Sequence, residues 1–320
     1  MTERAKIGMV FDRTFPGATV TEFARRLEAG GVDEMWFIED CFFTTAPPLA
    51  AAALAVTERL KVGLGILPAV ARTAAMTAME IATLSSIAPG RVIGGVGHGI
   101  QYWMGQMGVR PRSPVTTLDE TLVAVRRLLA GETVTVDGAT VHLDDVHLEH
   151  VPTPTPPVLA GVRGPRSMAL AGRVSDGIVL AGPCPAAYVT WALETAAPTR
   201  PDFAVVTFTN FCVTEDAATA HATMAPWLIQ VLGTDEDTAL RLLPFYDDLI
   251  ERAGHGPDAV AGMPHDQWVT IGAIGTLDDA AEHVAAVEAA GATSIAFFPA
   301  TDLEVARRQV DDVIALTTRS

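Results

Sequence analysis

A closed (β/α)8 barrel is the fold class this sequence predicts, on three observations. Short apolar strands alternate with helices along most of the chain, the links between them are short, and eight core strands begin near residues 7, 34, 62, 91, 157, 177, 204 and 293. Strand–helix alternation with brief links implies parallel pairing through right-handed crossovers. A length of 320 residues suits one such barrel. A doubly wound open sheet is the competing arrangement, and the strand count and spacing favour closure. One domain over residues 1–320 is expected, with a hairpin insertion near 132–150 and a helical insertion near 215–265 reaching over the barrel mouth.

The elements follow in order. Lys6 to Phe11 is an apolar strand, and Thr21 to Ala29 carries helical spacing through Phe23, Ala24 and Leu27 before stopping at Gly30-Gly31. Glu34 to Ile38 is the second strand, Pro48 to Glu58 a helix, Lys61 to Ile66 the third strand, and Thr73 to Ile87 a helix closed by Ala88-Pro89-Gly90. Arg91 to Val96 is the fourth strand. Val115 to Ala130 is a helix, and Val134 to Val141 reads as a hairpin turning at Asp137-Gly138. After the proline-rich 152–157, strands at Val158 to Ala160 and Gly177 to Leu180 flank a helix from Arg166 to Val174. A helix from Pro185 to Ala197 leads to the strand Phe203 to Val213. Residues 215–265 are mainly helical without a clear strand. Leu277 to Ala290, Thr293 to Phe298 and Leu303 to Thr317 then complete a helix–strand–helix close.

Composition narrows the function. A net charge of −16 disfavours nucleic acid, whose phosphates call for a basic face, and an anionic membrane surface likewise. Cys41, Cys184 and Cys212 form no CxxC pair, so neither a disulfide framework nor a zinc site is suggested. The amino terminus lacks a signal-peptide pattern, and the most apolar stretch, Ala46 to Val56, is too short for a bilayer, so a cytoplasmic location is expected.

In a barrel of this class the site forms at the carboxyl ends of the strands. Those ends are Phe11-Asp12-Arg13, Glu39-Asp40-Cys41, Gly65 to Pro68, Gly97-His98-Gly99, Gly161 to Gly164 and Ala181-Gly182-Pro183. Glycine there permits close backbone approach to a flat ligand. Gly164-Pro165 opens a helix, where the free N–H groups and the positive dipole end favour an anion, and Arg163 and Arg166 add charge. The same residues also suit an ordinary turn with solvated arginines. Gly95-x-Gly97-x-Gly99 is not a dinucleotide fingerprint, because the third glycine comes one residue early and no helix is evident after it.

Four segments together resemble the luciferase-like superfamily, in particular the deazaflavin-dependent methylenetetrahydromethanopterin reductases. They are Trp36 to Asp40, Val62 to Thr73 with Met79 to Leu84 and Pro89 to Arg91, Gly95 to Gly99, and Gly161 to Gly177. The resemblance implies a small-molecule substrate, coenzyme F420 with FMN as the alternative, and a homo-oligomer, usually a dimer. It implies that Gly65-Ile66 carries a non-proline cis peptide backing the coenzyme ring, and that Asp40 contacts the coenzyme. It also implies that Arg163, Gly164, Pro165, Arg166 and Ser167 hold its phosphate. Gly97 is a further candidate for contact with the ring, and His98, flanked by glycines, suits a hydrogen bond to the ring or to substrate and equally a structural role. The sugar-phosphate dehydrogenases of the family carry a histidine where this chain has Cys41 and a glutamate where it has Ile100, so that activity is disfavoured. Asp40, Glu39 and His98 are the candidates for catalytic work. Adjacent Glu39 and Asp40 should face opposite ways. A reduced-flavin monooxygenase and a flavin-binding barrel without turnover are the competing functions.

Overall fold

The computed structural model describes residues 4–319. Eight parallel strands form the core: β1 (Lys6–Phe11), β2 (Glu34–Phe37), β3 (Lys61–Leu64), β4 (Val92–Gly97), β5 (Val158–Gly161), β6 (Gly177–Ala181), β7 (Ala204–Val213) and β8 (Ser294–Phe298). They pair in chain order. β8 returns to β1 with Ile7 opposite Ile295, and β6 pairs with β7 with Val206 opposite Val179, so the sheet closes on itself. The predicted strand starts therefore hold.

Alternation sorts the side chains. Val10, Trp36, Leu159, Val179, Val206, Phe208 and Ala296 meet in the barrel interior, one or two from most strands, while the intervening residues pack outward against the helices. Near the floor, Glu34 is buried and accepts hydrogen bonds from Trp36 Nε1 at 2.8 Å and Ser294 Oγ at 2.6 Å. Burial raises its carboxyl above the usual range.

Helix ends follow their caps. Thr73 caps Ala74–Ile87 by accepting from Met76 N, Ser113 caps Pro114–Leu129, and Thr276 with Asp279 forms a capping box on Leu277–Ala289. The segment after β7 is helical as expected: Ala217–Val231, Tyr246–Gly254, Pro257–Ala261 and His265–Ile271, with a 3-10 helix at Asp235–Leu242. These helices bury an apolar cluster of their own around Leu228, Leu240, Leu249, Val260 and Trp268. Among the described residues no helix is long and apolar enough to cross a membrane.

Three local expectations are corrected. The hairpin is wider than predicted: its strands are Val134–Asp137 and His142–Val146, and 138–141 form the connection. Glu120, from the preceding helix, accepts from the backbone N–H of Ala139, Thr140 and Val141 and from Thr140 Oγ1 and fixes that loop; against the opposing effect of burial, the Thr140 hydroxyl and these backbone bonds lower its carboxyl to about 2. A six-residue helix, Gln101–Gln106, does begin shortly after Gly99, although the closed barrel still excludes the dinucleotide fold. A short strand, Ala273–Gly275, pairs with the end of β7, where none was expected.

Candidate active site

The carboxyl ends of β3 to β6 form a smooth surface because their inward positions carry almost no side chain. A Cβ on Gly95 would stand 2.1 Å from the Leu64 carbonyl oxygen, one on Gly97 2.7 Å from the Gly161 oxygen, and one on Gly161 2.5 Å from Ile66 Cγ2. Ile66 alone fills this space, its side chain lying on the three glycines. The Gly65–Ile66 peptide is cis, as the resemblance implied. Across the barrel, Phe208 Cζ lies 2.4 Å from the Cβ position of Gly65, so no larger residue fits there. The result is a flat apolar shelf, partly open at Ile66, with Trp36, Phe208 and Phe298 beneath and beside it.

One end of the shelf leads to the anion-type turn. Gly164 is the N-cap and Pro165 the first residue of the helix Pro165–Val174, which has no side-chain cap. Its first intrahelical bond is Met168 N to Gly164 O at 2.9 Å, so the amides of Arg166 and Ser167 precede the ladder. His98 Nε2 lies 2.8 Å from Ser167 Oγ and ties the end of β4 to this turn. His98 Nδ1 is buried without a hydrogen-bond partner. Burial lowers the pKa of His98, opposed in part by the nearby Pro114 carbonyl, so the imidazole is neutral at pH 7. Arg163 reaches from the end of β5 to within 4.0 Å of Glu236 in the segment above the barrel. Arg166 is exposed.

At β1 and β2 the two acidic candidates part company. Asp40 pairs with Arg13, whose guanidinium sits 4.7 Å over the Phe43 ring. Burial raises the Asp40 carboxyl, with Arg13 pulling the other way. Glu39 instead accepts both forks of Arg72, Nη2 at 2.8 Å, and the Ala46 N–H at 3.1 Å. Arg72 Nε lies 2.8 Å from Glu80. Glu39 thus fastens the end of β2 to the starts of two helices, and its oxygens are occupied. Sequence spacing gave no sign of Arg72, 33 positions away.

Sequence reasoning also passed over Asn210, which follows Val206 and Phe208 on the inward face of β7. A signal was present: a polar residue continuing an apolar alternation at a strand's carboxyl end. Asp12, buried at the end of β1, is satisfied locally by Thr14 N at 2.8 Å and Thr14 Oγ1 at 2.5 Å. The opposite end of the barrel holds a cavity of about 780 Å³ lined in part by Glu34, Lys61, Leu159 and Ser294. It lies at the strand starts, the end that serves stability in this architecture.

A flat ring with an acidic tail suits this geometry. The shelf has no room for a Cβ yet stays open, polar atoms buried without partners stand at its margin, and unbonded amides with two arginines lie at one end. The molecule is a (β/α)8 barrel with its chemistry-bearing groups at the carboxyl ends of its strands. Residues 6–294 match the luciferase-like monooxygenase family, and the chain belongs to it. The 5,10-methylenetetrahydromethanopterin reductase of Methanolobus tindarius is 30% identical over 222 residues, 67% of this chain and 68% of that one. The coenzyme F420 dependent tetrahydromethanopterin reductase from Methanopyrus kandleri superposes with a TM-score of 0.79 at 19% identity, covering 98% and 99% of the two chains. The oxygenating constituent of 3,6-diketocamphane monooxygenase from Pseudomonas putida, in complex with FMN, gives 0.71 at 18% identity over 97% and 96%.

Proposed function

We propose that the chain is a coenzyme F420-dependent oxidoreductase acting on a small organic substrate. The observation that carries this reading is the nearness of the glycine positions under Ile66, the last of them Gly161, to the uncapped helix start at Gly164, three residues further on, a surface for a flat ring beside a place for its acidic tail. Bound there, the deazaflavin supplies a carbon, C5, that takes up or releases hydride.

The chain's own residues orient and enclose. Gly65, Ile66, Gly97 and Gly161 would support one ring face. The amides of Arg166 and Ser167, with Arg163 and Arg166, would hold the phosphate through charge-assisted hydrogen bonds. His98, bonded to Ser167, would couple ring and tail, its buried Nδ1 without a hydrogen-bond partner. Asp40 is the acidic group best placed for a proton at the mouth, since burial raises its carboxyl while Arg13 holds its orientation. Glu39 is a positioning residue. Hydride transfer demands alignment more than a proton relay, so this sparse titratable set suffices.

A homodimer is part of the proposal. The helix Ala46–Ala55 is apolar on every side, and beside it Met76, Met79 and Ile87 stand exposed on Ala74–Ile87. Such all-round apolar surface is covered in stable assemblies. Light scattering on the purified protein reports the mass.

The cofactor is tested by fluorescence titration of F420 and FMN against purified protein. Tight F420 binding with weak FMN binding supports the reading. The reverse preference, joined to oxygen consumption with reduced FMN, replaces it with a monooxygenase. Binding without reduction of any acceptor leaves a non-catalytic barrel.

A further inference from the structure

One polar side chain at the shelf is left without a task. Asn210 lies on β7 opposite Phe298, the last residue of β8, and therefore at the level where the strands end. Val206 and Phe208 face the barrel interior, and the two-residue period puts Asn210 on the same side, one layer higher. The residue is half-buried; its Oδ1 is fully buried and has no hydrogen-bond partner. The neighbour is again a glycine: a Cβ on Gly182 would lie 2.6 Å from Asn210 Oδ1.

Position gives this amide its meaning. β7 stands across the barrel from β3, as the contact of Phe208 with Gly65 attests. The shelf starts at Gly65-Ile66, runs over Gly95, Gly97 and Gly161, and reaches Gly182, where Asn210 rises at its border. A ring resting on those glycines has apolar faces above and below and turns its polar edge toward the rim. A buried carbonyl oxygen without a donor is disfavoured unless a ligand completes it. A carboxamide offers one donor and one acceptor side by side, the complement of an N–H flanked by C=O in a cyclic imide.

Resting on the ring site proposed above, we propose that Asn210 is the ring-edge anchor of this protein. Nδ2–H donates to a ring carbonyl oxygen while Oδ1 accepts from the adjacent ring N–H. The ligand class is a flat heteroaromatic ring with an imide edge. The pairing fixes the ring's rotation on the shelf, and with it which atom is presented to substrate. Asn210 is a binding and positioning residue and takes no part in proton transfer. Both deazaflavins and flavins carry the edge, so the anchor does not decide between them.

The test separates ring from tail. The probes are the deazaflavin chromophore without its phosphate tail and the same chromophore methylated on the imide nitrogen, titrated by fluorescence against wild type, Asn210→Ala and Asn210→Asp. Wild type should bind the parent ring at least tenfold more tightly than the methylated one. Asn210→Ala should lose about tenfold for the parent and show little difference between the two rings. Asn210→Asp, which keeps an acceptor but sets a charge against the ring carbonyl, should lose at least as much. Thermal melts check that each variant is folded; should both fail, the two-ring comparison on wild type still decides. Equal binding of both rings by wild type, or unchanged parent binding by Asn210→Ala, overturns the anchor while leaving the ring site intact. Failure of wild type to bind any deazaflavin or flavin ring overturns both.

Discussion

Replacing Arg72 by leucine tests whether Glu39 is a structural tether. In the native chain Glu39 and Arg72 are bonded through both forks, their side chains only 7% and 16% exposed, and Glu80 closes on Arg72 from the other side. Removing the arginine leaves Glu39 buried with only the Ala46 N–H as a donor, and strips Glu80 of its counter-charge. Breaking a buried pair by deleting one partner costs about 3–5 kcal/mol. At roughly 2–4 °C per kcal/mol for a chain of a few hundred residues, the melting temperature should fall by about 6–20 °C. Glu39→Gln removes the charge but keeps an acceptor for Ala46, so roughly 1–3 kcal/mol is expected. The double variant is the sharper measurement. With no stranded carboxylate at Glu39, it should be more stable than the sum of the single losses predicts, by about 1–3 kcal/mol. Urea unfolding followed by circular dichroism reads these quantities as shifts in midpoint at constant slope. An Arg72→Leu loss below 1 kcal/mol, or strict additivity in the double variant, would refute the tether and return Glu39 to the catalytic candidates.

The shelf makes a graded prediction. Gly161→Ala meets the Ile66 side chain, which can move, so it should weaken F420 binding about tenfold or more with a modest melting shift. Gly95→Ala meets the Leu64 backbone oxygen, which cannot, and should cost stability first, about 1–3 kcal/mol. Arg163→Ala and Arg166→Ala should each weaken F420 about tenfold and flatten its salt dependence, while the tail-less chromophore binds as before; equal losses for both ligands would remove the phosphate from the turn. The acid limb of stability should carry His283, buried with Nδ1 2.8 Å from the Val269 oxygen and its pKa lowered by burial from 6.5 to about 4. The unfolded chain binds that proton more readily, so the stabilisation is complete above about pH 6.5 and disappears as pH falls toward 4, by roughly 3 kcal/mol at most. His283→Gln should flatten that window in pH-dependent urea melts.

Much of this architecture is legible in the residues. All eight barrel strands begin within about a residue of the expected positions, because apolar runs bounded by glycine and proline are local signals. The helix start at Gly164-Pro165 is equally local. What escaped depended on distance or on competition. The hairpin loop is shaped by Glu120, nineteen to twenty-one positions back, and no inspection of 134–141 could supply it. The helix Gln101–Gln106 is too short to show a period. Adjacent Glu39 and Asp40 were expected to diverge, and they do, each to its own arginine, Arg72 for Glu39 and Arg13 for Asp40, partners 33 and 27 positions away.

The same logic explains why the site has so few polar side chains. At the strand tips the inward positions of β4 and β5 are glycine, and Ile66 is the common cover of Gly95, Gly97 and Gly161, a surface that suits a flat ring. Under the ring site proposed above, polar recognition would fall to the margins: the helix start at one side, His98 behind it, and Asn210 at the far border. Specificity for substrate must then come from outside the strands, from Phe42, Phe43 and Tyr102 after β2 and β4, which stand exposed, and from the segment that brings Glu236 toward Arg163. In such a barrel the strand ends serve as scaffold and the loops are where binding specificity is expected to lie. Exchanging 215–271 with a relative's segment should therefore alter substrate preference while ring affinity stays near the parent value, and a swap that abolished ring binding in a folded chimera would break this division of labour.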